Sequence, residues 1–248
     1  MKKSLLKNYS SILFSILFLT SSAVAEDIPD PIEPINRGIF WFNNTLDENI
    51  IEPIAKGYDY ITPDPVQRSI RNFFINLNTP VYLVSDILQL KFGQSATHLE
   101  RFAINSTVGV LGLLDVANDW GIPHHDEDLG SAFGYWGVGP GAYIVLPLLG
   151  PSSLRDGIGF AGESFLSPAI AVTYSNLDQA DKNLILGGAN TLRFINIRSR
   201  LIPTIQAAKE ASLDYYSFIK HAYQQDRQAV IYDGLAPEED DIIDYGNE

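Results

Sequence analysis

Asp30-Pro31-Ile32-Glu33-Pro34-Ile35-Asn36-Arg37-Gly38-Ile39-Phe40-Trp41-Phe42-Asn43 is the stretch on which the reading of this chain turns. It opens an amphipathic run with too many large apolar residues for an ordinary solvated helix. From Asn36 to about Ile51, Ile39, Phe42, Leu46 and Ile50 recur at spacings of three, four and four, which places them on one helical face. Phe40 and Trp41 fall outside that stripe and widen it. Pro53 is expected to end the segment.

Upstream lies an export leader. Lys2, Lys3 and Lys7 form a positive start, residues 12–19 a short apolar run, and Ala23-Val24-Ala25 a signal-peptidase site with cleavage expected before Glu26. The apolar run is too short to span a bilayer. The sequence holds no cysteine, so disulfide and thiolate chemistry are excluded, as is acylation of a cysteine after cleavage. The expected organisation is a signal peptide over 1–25, a helical domain over 26–236 and an acidic, disordered tail over 237–248.

The net charge is −13, and losing the three leader lysines takes it to −16. A chain this acidic lacks the clustered Lys and Arg that nucleic acid requires. Yet 46% of its residues are hydrophobic and its mean hydropathy is +0.01. High charge beside so much apolar material implies segregation, with acidic regions in water and apolar faces in a core or in lipid. Half a hydrocarbon core is about 15 Å, which about 10 helical residues cross. Several apolar stretches of that length, many aromatics and frequent breaks suit a protein sunk partway into one leaflet.

The remaining signals are mostly helical. Asp64-Pro65 and Thr79-Pro80 each read as a cap followed by a first-turn proline. Val66, Ile70, Phe73, Phe74 and Leu77 make an apolar stripe after the first; Val81, Val84, Ile87 and Leu88 follow the second until Gly93. Residues 95–108 read as a helix with Leu99, Phe102 and Ala103 inward, and 111–119 as a short one. Glycines crowd 121–150, a loop-rich segment with one strand-like run at 143–146. Ser152-Ser153 caps a helix near Leu154, Pro168 breaks the apolar run after it, and 181–201 and 204–230 read as two last helices.

Chemistry-bearing motifs are sparse. His124-His125-Asp126-Glu127-Asp128 lacks a second histidine pair at ligand spacing and reads as a solvated acidic loop leading into a short helix. Gly137-Val138-Gly139-Pro140-Gly141 has neither a phosphate-loop Lys nor dinucleotide spacing. No nucleophile elbow is present. No enzyme activity, metal or cofactor is therefore expected. Glu163, alone in apolar surroundings, is a candidate for a raised pKa or for lining a polar channel. Arg193, Arg198 and Arg200 gather on one helix, where they could hold phosphate headgroups or pair with the abundant acids.

Several blocks together resemble the MlaA/VacJ family of outer-membrane phospholipid-transport proteins, across about 30–234. They are Asp30-Pro31-Ile32-Glu33-Pro34-Ile35-Asn36-Arg37 with Phe40, Phe42 and Asn43; Asn72-Phe73-Phe74-Ile75-Asn76-Leu77; Arg101-Phe102-Ala103-Ile104-Asn105 through Gly109 to Asp115; Gly134-Tyr135-Trp136-Gly137-Val138-Gly139 through Pro147 and Gly150 to Arg155-Asp156; and Asp214-Tyr215-Tyr216 through Arg227. The resemblance implies a mainly α, ring-like bundle of short amphipathic helices with at most a short β-hairpin. It implies a place in the inner leaflet of an outer membrane beside a porin trimer. The ring would take misplaced phospholipids from the outer leaflet to a periplasmic lipid carrier, with no cofactor and no bond change. Family members are typically lipoproteins, and this chain departs from that in having no cysteine. Gly137, Gly139, Gly141, Glu163, Arg193 and Arg198 are the candidates for lipid passage or gating. The other reading of the residues is a soluble periplasmic lipid-binding protein.

Overall fold

The computed structural model describes residues 28–234; the expected signal peptide and acidic tail lie outside them. The architecture is mainly helical with one two-stranded antiparallel sheet. Helices run α1 Glu33–Leu46, α2 Glu52–Ile61, α3 Asp64–Leu77, α4 Thr79–Leu88, α5 Phe92–Thr107, α6 Val116–Asp119 and α7 Leu129–Tyr135. The hairpin β1 Tyr143–Leu146 and β2 Gly150–Ser153 follows, then α8 Leu154–Glu163, α9 Ala169–Thr173, α10 Gln179–Ala211 and α11 Tyr215–Ile231. Leu148 and Gly150, both at positive φ, turn the hairpin.

Contacts between elements form a closed circuit. α2 packs on α10, α10 on α3, α3 on α5, α5 on α4, α4 on α7, α7 on α8, α8 on β2, and β1 on α1, which leads back into α2. The bundle is thus a ring, with α11 bracing it against α7, β2 and α10. Among the described residues no helix is long and apolar enough to cross a membrane.

Several boundaries differ from the sequence reading. The short helix expected over 111–119 begins only at Val116, because Val110, Leu111 and Gly112 take left-handed turns ahead of it. Pro53 does not end the first helix. A π-helical turn, Asp47–Ile51, links α1 to α2, and Pro53 sits in the first turn of α2, where its missing amide is least costly. Gly93 does not stop α4, which ends at Leu88; Leu90 takes the left-handed turn and Gly93 lies inside α5. Pro203 does not divide the last helices: α10 runs through it, and the break falls at Asp214, whose carboxylate caps α11 at the Tyr216 and Ser217 amides. Asp64 and Thr79 begin their helices without a side-chain cap, whereas Ser153 caps α8 as expected, accepting from the Asp156 amide at 3.1 Å.

Candidate functional site

Burial in this ring runs opposite to that of a protein folded in water. On α5 the inward residues are His98, Arg101 and Asn105, while Leu99 and Phe102 are exposed, as is Ala103. The inward assignment of Leu99, Phe102 and Ala103 is therefore reversed. α3 does the same, burying Gln67 and Asn76 and exposing Val66 and Leu77. All three tryptophans face outward, with Trp41 69%, Trp120 62% and Trp136 59% exposed. The buried apolar cluster is small, centred on Ile28, Tyr143, Val145 and Tyr216. On α5 the periodicity was read correctly and the direction wrongly: there the polar stripe holds the ring together and the apolar stripe is left outside.

The opening motif fastens that ring. Asn36 donates to Asp30 at 2.7 Å and to the Tyr143 carbonyl at 2.9 Å, and accepts from the Val145 amide at 2.9 Å. Its side-chain amide thus plays the part of a missing strand along the open edge of β1. Asn43, two turns on, does the same for Leu146 and Leu148 at 3.0 and 2.9 Å. Tyr216 donates to Asp30, and Arg37 bridges Glu33 and Asp214 while lying 4.3 Å over the Tyr216 ring. Phe40 packs on Tyr215 and Tyr216, whereas Phe42 and Trp41 point outward. Pro31, Pro34 and Pro147 are exposed.

A second clamp holds the 108–117 segment. Arg101 grips Asp115 with bonds of 2.8 and 2.9 Å, and Asn105 donates to the same carboxylate at 2.9 Å and accepts from the Ala117 amide. Burial alone would push the Asp115 carboxyl up; the Asn105 hydrogen bond and the Arg101 charge hold it below the usual range. Gly109 sits so close to the Asn105 and Leu114 carbonyls that a Cβ would overlap both.

The third cluster joins the glycine-rich segment to α8 and α11. Arg227 grips Asp128 at 2.5 and 2.8 Å and reaches Asp156 at 3.1 Å. Arg155 bonds Asp156 at 2.8 Å and the Val138 carbonyl at 3.3 Å. Beside them is a cavity of about 410 Å³ lined by Gly137, Gly139, Gly141, Arg155, Arg227 and Ile231 among others. Gly137 and Gly141 have positive φ; Gly139 does not, and nothing crowds its missing Cβ. Glu127 is not part of a solvated loop: it is buried, accepting from Gln89 and Ser131 at 2.7 Å and from Lys91 at 3.0 Å. Asp128 caps α7 in a capping box.

Across the ring, charged groups from several elements share one polar wall. They are linked in pairs: Arg71 of α3 with Asp126 and with Arg200 of α10, Tyr82 of α4 with Asp126, with Glu163 of α8 and with Arg193 of α10, Glu163 with Arg193, and Asp226 of α11 with Asp126. Asp226 is open to solvent, and the protein around it still pushes its carboxyl above the usual range. Burial raises Glu163, despite the Leu129 amide donating to it at 3.0 Å. Burial and the neighbouring Arg200 and Arg68 charges lower Arg71.

Of the six residues expected at a passage, Glu163 and Arg193 are on this wall, and Gly137, Gly139 and Gly141 line the cavity beside the third cluster. Arg198 is elsewhere, buried and bound by Asp47 at 2.6 and 2.7 Å and by Glu52 at 3.2 Å. Arg71, Tyr82 and Asp226 were not singled out in the sequence, and Asp126 was read there only as part of a solvated acidic loop. Among the described residues no group of three His, Asp or Glu could hold a metal.

The sequence matches the family described as MlaA lipoprotein over residues 28–230. An uncharacterised protein of Rickettsia felis is 34% identical over 206 residues, covering 83% of this chain and 79% of that protein. The intermembrane phospholipid transport system lipoprotein MlaA of Escherichia coli K12 is 31% identical over 218 residues, covering 85% and 82%; its Haemophilus influenzae namesake is 26% identical, covering 96% and 97%. A solved chain, from work on the structural basis for maintenance of bacterial outer membrane lipid asymmetry, superposes with a TM-score of 0.71 at 29% identity, covering 82% of this chain and 98% of that one. Family model, relatives and fold agree, and the chain belongs to the MlaA lipoprotein family.

Proposed function

We propose that this protein keeps the outer membrane asymmetric by removing phospholipids that have strayed into its outer leaflet. The carrying observation is the reversed burial: His98, Arg101 and Asn105 face inward on α5 while Leu99 and Phe102 face out. A headgroup crossing apolar protein without partners costs several kcal/mol, about 2–7 for one bare polar group. A polar wall inside an apolar belt supplies those partners while the outer faces rest in lipid.

The protein lies in the inner leaflet beside a porin trimer and passes its cargo to a periplasmic lipid carrier, as the family likeness suggests. The leader over 1–25 exports it, and with no cysteine to acylate, its apolar faces hold it in the membrane. It breaks no bond. Ser153, which precedes Arg155-Asp156 in the sequence, is buried and engaged in capping α8. Deleting the gene should raise outer-leaflet phospholipid and sensitise cells to detergent, and Ser153→Ala should restore the barrier. Unchanged outer-leaflet phospholipid in the deletion, or lysophospholipid formed by the pure protein, would sink this reading.

A further inference from the structure

A narrow crevice of about 170 Å³ opens between α3, α9 and α10. Phe74, Leu77, Val172, Ile185 and Leu186 make its apolar wall, and Arg193 stands with them. The Arg193 guanidinium lies 5.9 Å over the Phe74 ring. Arg37, Arg101, Arg155, Arg198 and Arg227 each bind a carboxylate; Arg193, in a chain of net charge −13, forms no ion pair among the described residues. An exposed cation with no carboxylate in direct contact, beside an apolar slot, is the arrangement that an amphiphilic anion completes.

A second guanidinium, Arg71, stands three residues before Phe74 on α3. Asn196 and Ser199 of α10 bond to Gln67 of α3 at 3.0 and 3.4 Å, while Arg193 meets Phe74, so the two helices run antiparallel there. Arg71 lies on α3 between those two contacts. Among the described residues its only hydrogen bond is a long one, 3.4 Å from Nη2 to Asn72, and its buried Nε has no acceptor. Such a buried donor is costly unless a ligand satisfies it.

We propose that this crevice is a transit site for one glycerophospholipid, with part of an acyl chain between α3, α9 and α10 and the phosphodiester on Arg193, with Arg71 within reach. This rests on the transport reading above and names the part of the lipid that the wall grips. The crevice is too small for a whole acyl chain, so the lipid is held only in passing.

The test uses the full-length protein purified in detergent and two photoactivatable lipids with the same diazirine-bearing chains: a phosphatidylcholine, and a diacylglycerol lacking the phosphate. Cross-links mapped by mass spectrometry are expected at 74–77, 168–172 and 185–189 from the phosphatidylcholine, and about tenfold fewer from the diacylglycerol, as one lost charge-assisted hydrogen bond predicts. Arg193→Gln should bring the phosphatidylcholine yield down to the diacylglycerol level with an unchanged melting temperature. Ala189→Trp, which fills the slot, should lower both. Equal yields from the two probes, or an undiminished yield in Arg193→Gln, overturns the site. If the gene deletion raises outer-leaflet phospholipid while Arg193→Gln cross-links and complements like wild type, the site fails and the transport function stands. If the deletion changes nothing while the cross-links follow Arg193, the site stands and the transport function fails.

Discussion

The side-chain oxygen of Asn36 accepts the backbone amide of Val145 at 2.9 Å across 109 residues of sequence. One side chain on α1 thereby fixes the free edge of the hairpin, because its amide nitrogen also meets the Tyr143 carbonyl. Asn36→Ala strands two buried backbone groups and is expected to destabilise the protein by about 2 kcal/mol or more, at ~1–3 kcal/mol for each. Asn43→Ala, acting at the more open end of the hairpin, should cost less. Urea titration of both variants checks the order; equal losses would mean that the edge is held by something else.

Breaking the Arg101–Asp115 pair should be severe, since Arg101 is buried and bonds Asp115 through two oxygens. Arg101→Met leaves the Asp115 carboxylate without its cation and should cost about 3–5 kcal/mol. Asp115 is held below its ordinary range, so its contribution is present above the unfolded value and is lost as pH falls through the folded one. Wild type should therefore lose its advantage over Asp115→Asn on acidification, as melting curves from pH 7 to pH 3 would show.

Glu163 titrates the other way. Burial raises its carboxyl, so its stabilising protonated form prevails below the ordinary glutamate value and is lost as pH rises through the folded one. Glu163→Gln is expected to melt above wild type at pH 7, with the gap shrinking toward pH 4. A gap that is constant with pH would remove the ionisation from the account.

Trp41 is 69% exposed on α1 and belongs to the face assigned to lipid. Trp41→Glu should move protein from the carbonate-washed membrane pellet to the supernatant without changing the circular dichroism of the folded chain. A variant that stays in the pellet would assign Trp41 to another role.

Gly139 and Gly141 separate gating from folding. Gly141 has φ +67 and a Cβ there would come within 3.2 Å of Leu154, so Gly141→Ala should cost about 1–2 kcal/mol of strain. Gly139→Ala meets nothing and should fold normally. If the loop controls lipid passage, Gly139→Ala should still slow transport, measured as outer-leaflet phospholipid at equal protein level. Normal transport in that variant would leave the segment a plain turn.

Much of this fold was legible in the sequence. The strand at 143–146, the Ser153 cap, the helix after Asp64 and the mainly α class follow from periodicity and punctuation. The direction of the α5 face did not, because periodicity reports that a helix has two faces and says nothing about which solvent each meets. The polar stripe His98, Arg101, Asn105, spaced three and four apart, carried the missing information: a histidine, an arginine and an asparagine in helical register beside an exposed leucine face. Arg71 and Asp226 were beyond reach, since each comes from a different element and only ring closure brings them to one wall with Asp126.

The reversed burial also governs how this protein meets temperature. Unfolding an ordinary domain exposes apolar surface to water and raises the heat capacity by about 12–15 cal/mol/K per residue, which curves the stability profile. Here the apolar faces of α3 and α5 are already outside, and unfolding mainly hydrates clusters such as Arg101–Asp115 and Asn36–Asp30. Polar hydration lowers heat capacity. In a lipid-like solvent the stability curve should therefore be unusually flat, with little weakening on cooling, a thermal habit set by which way the helices face.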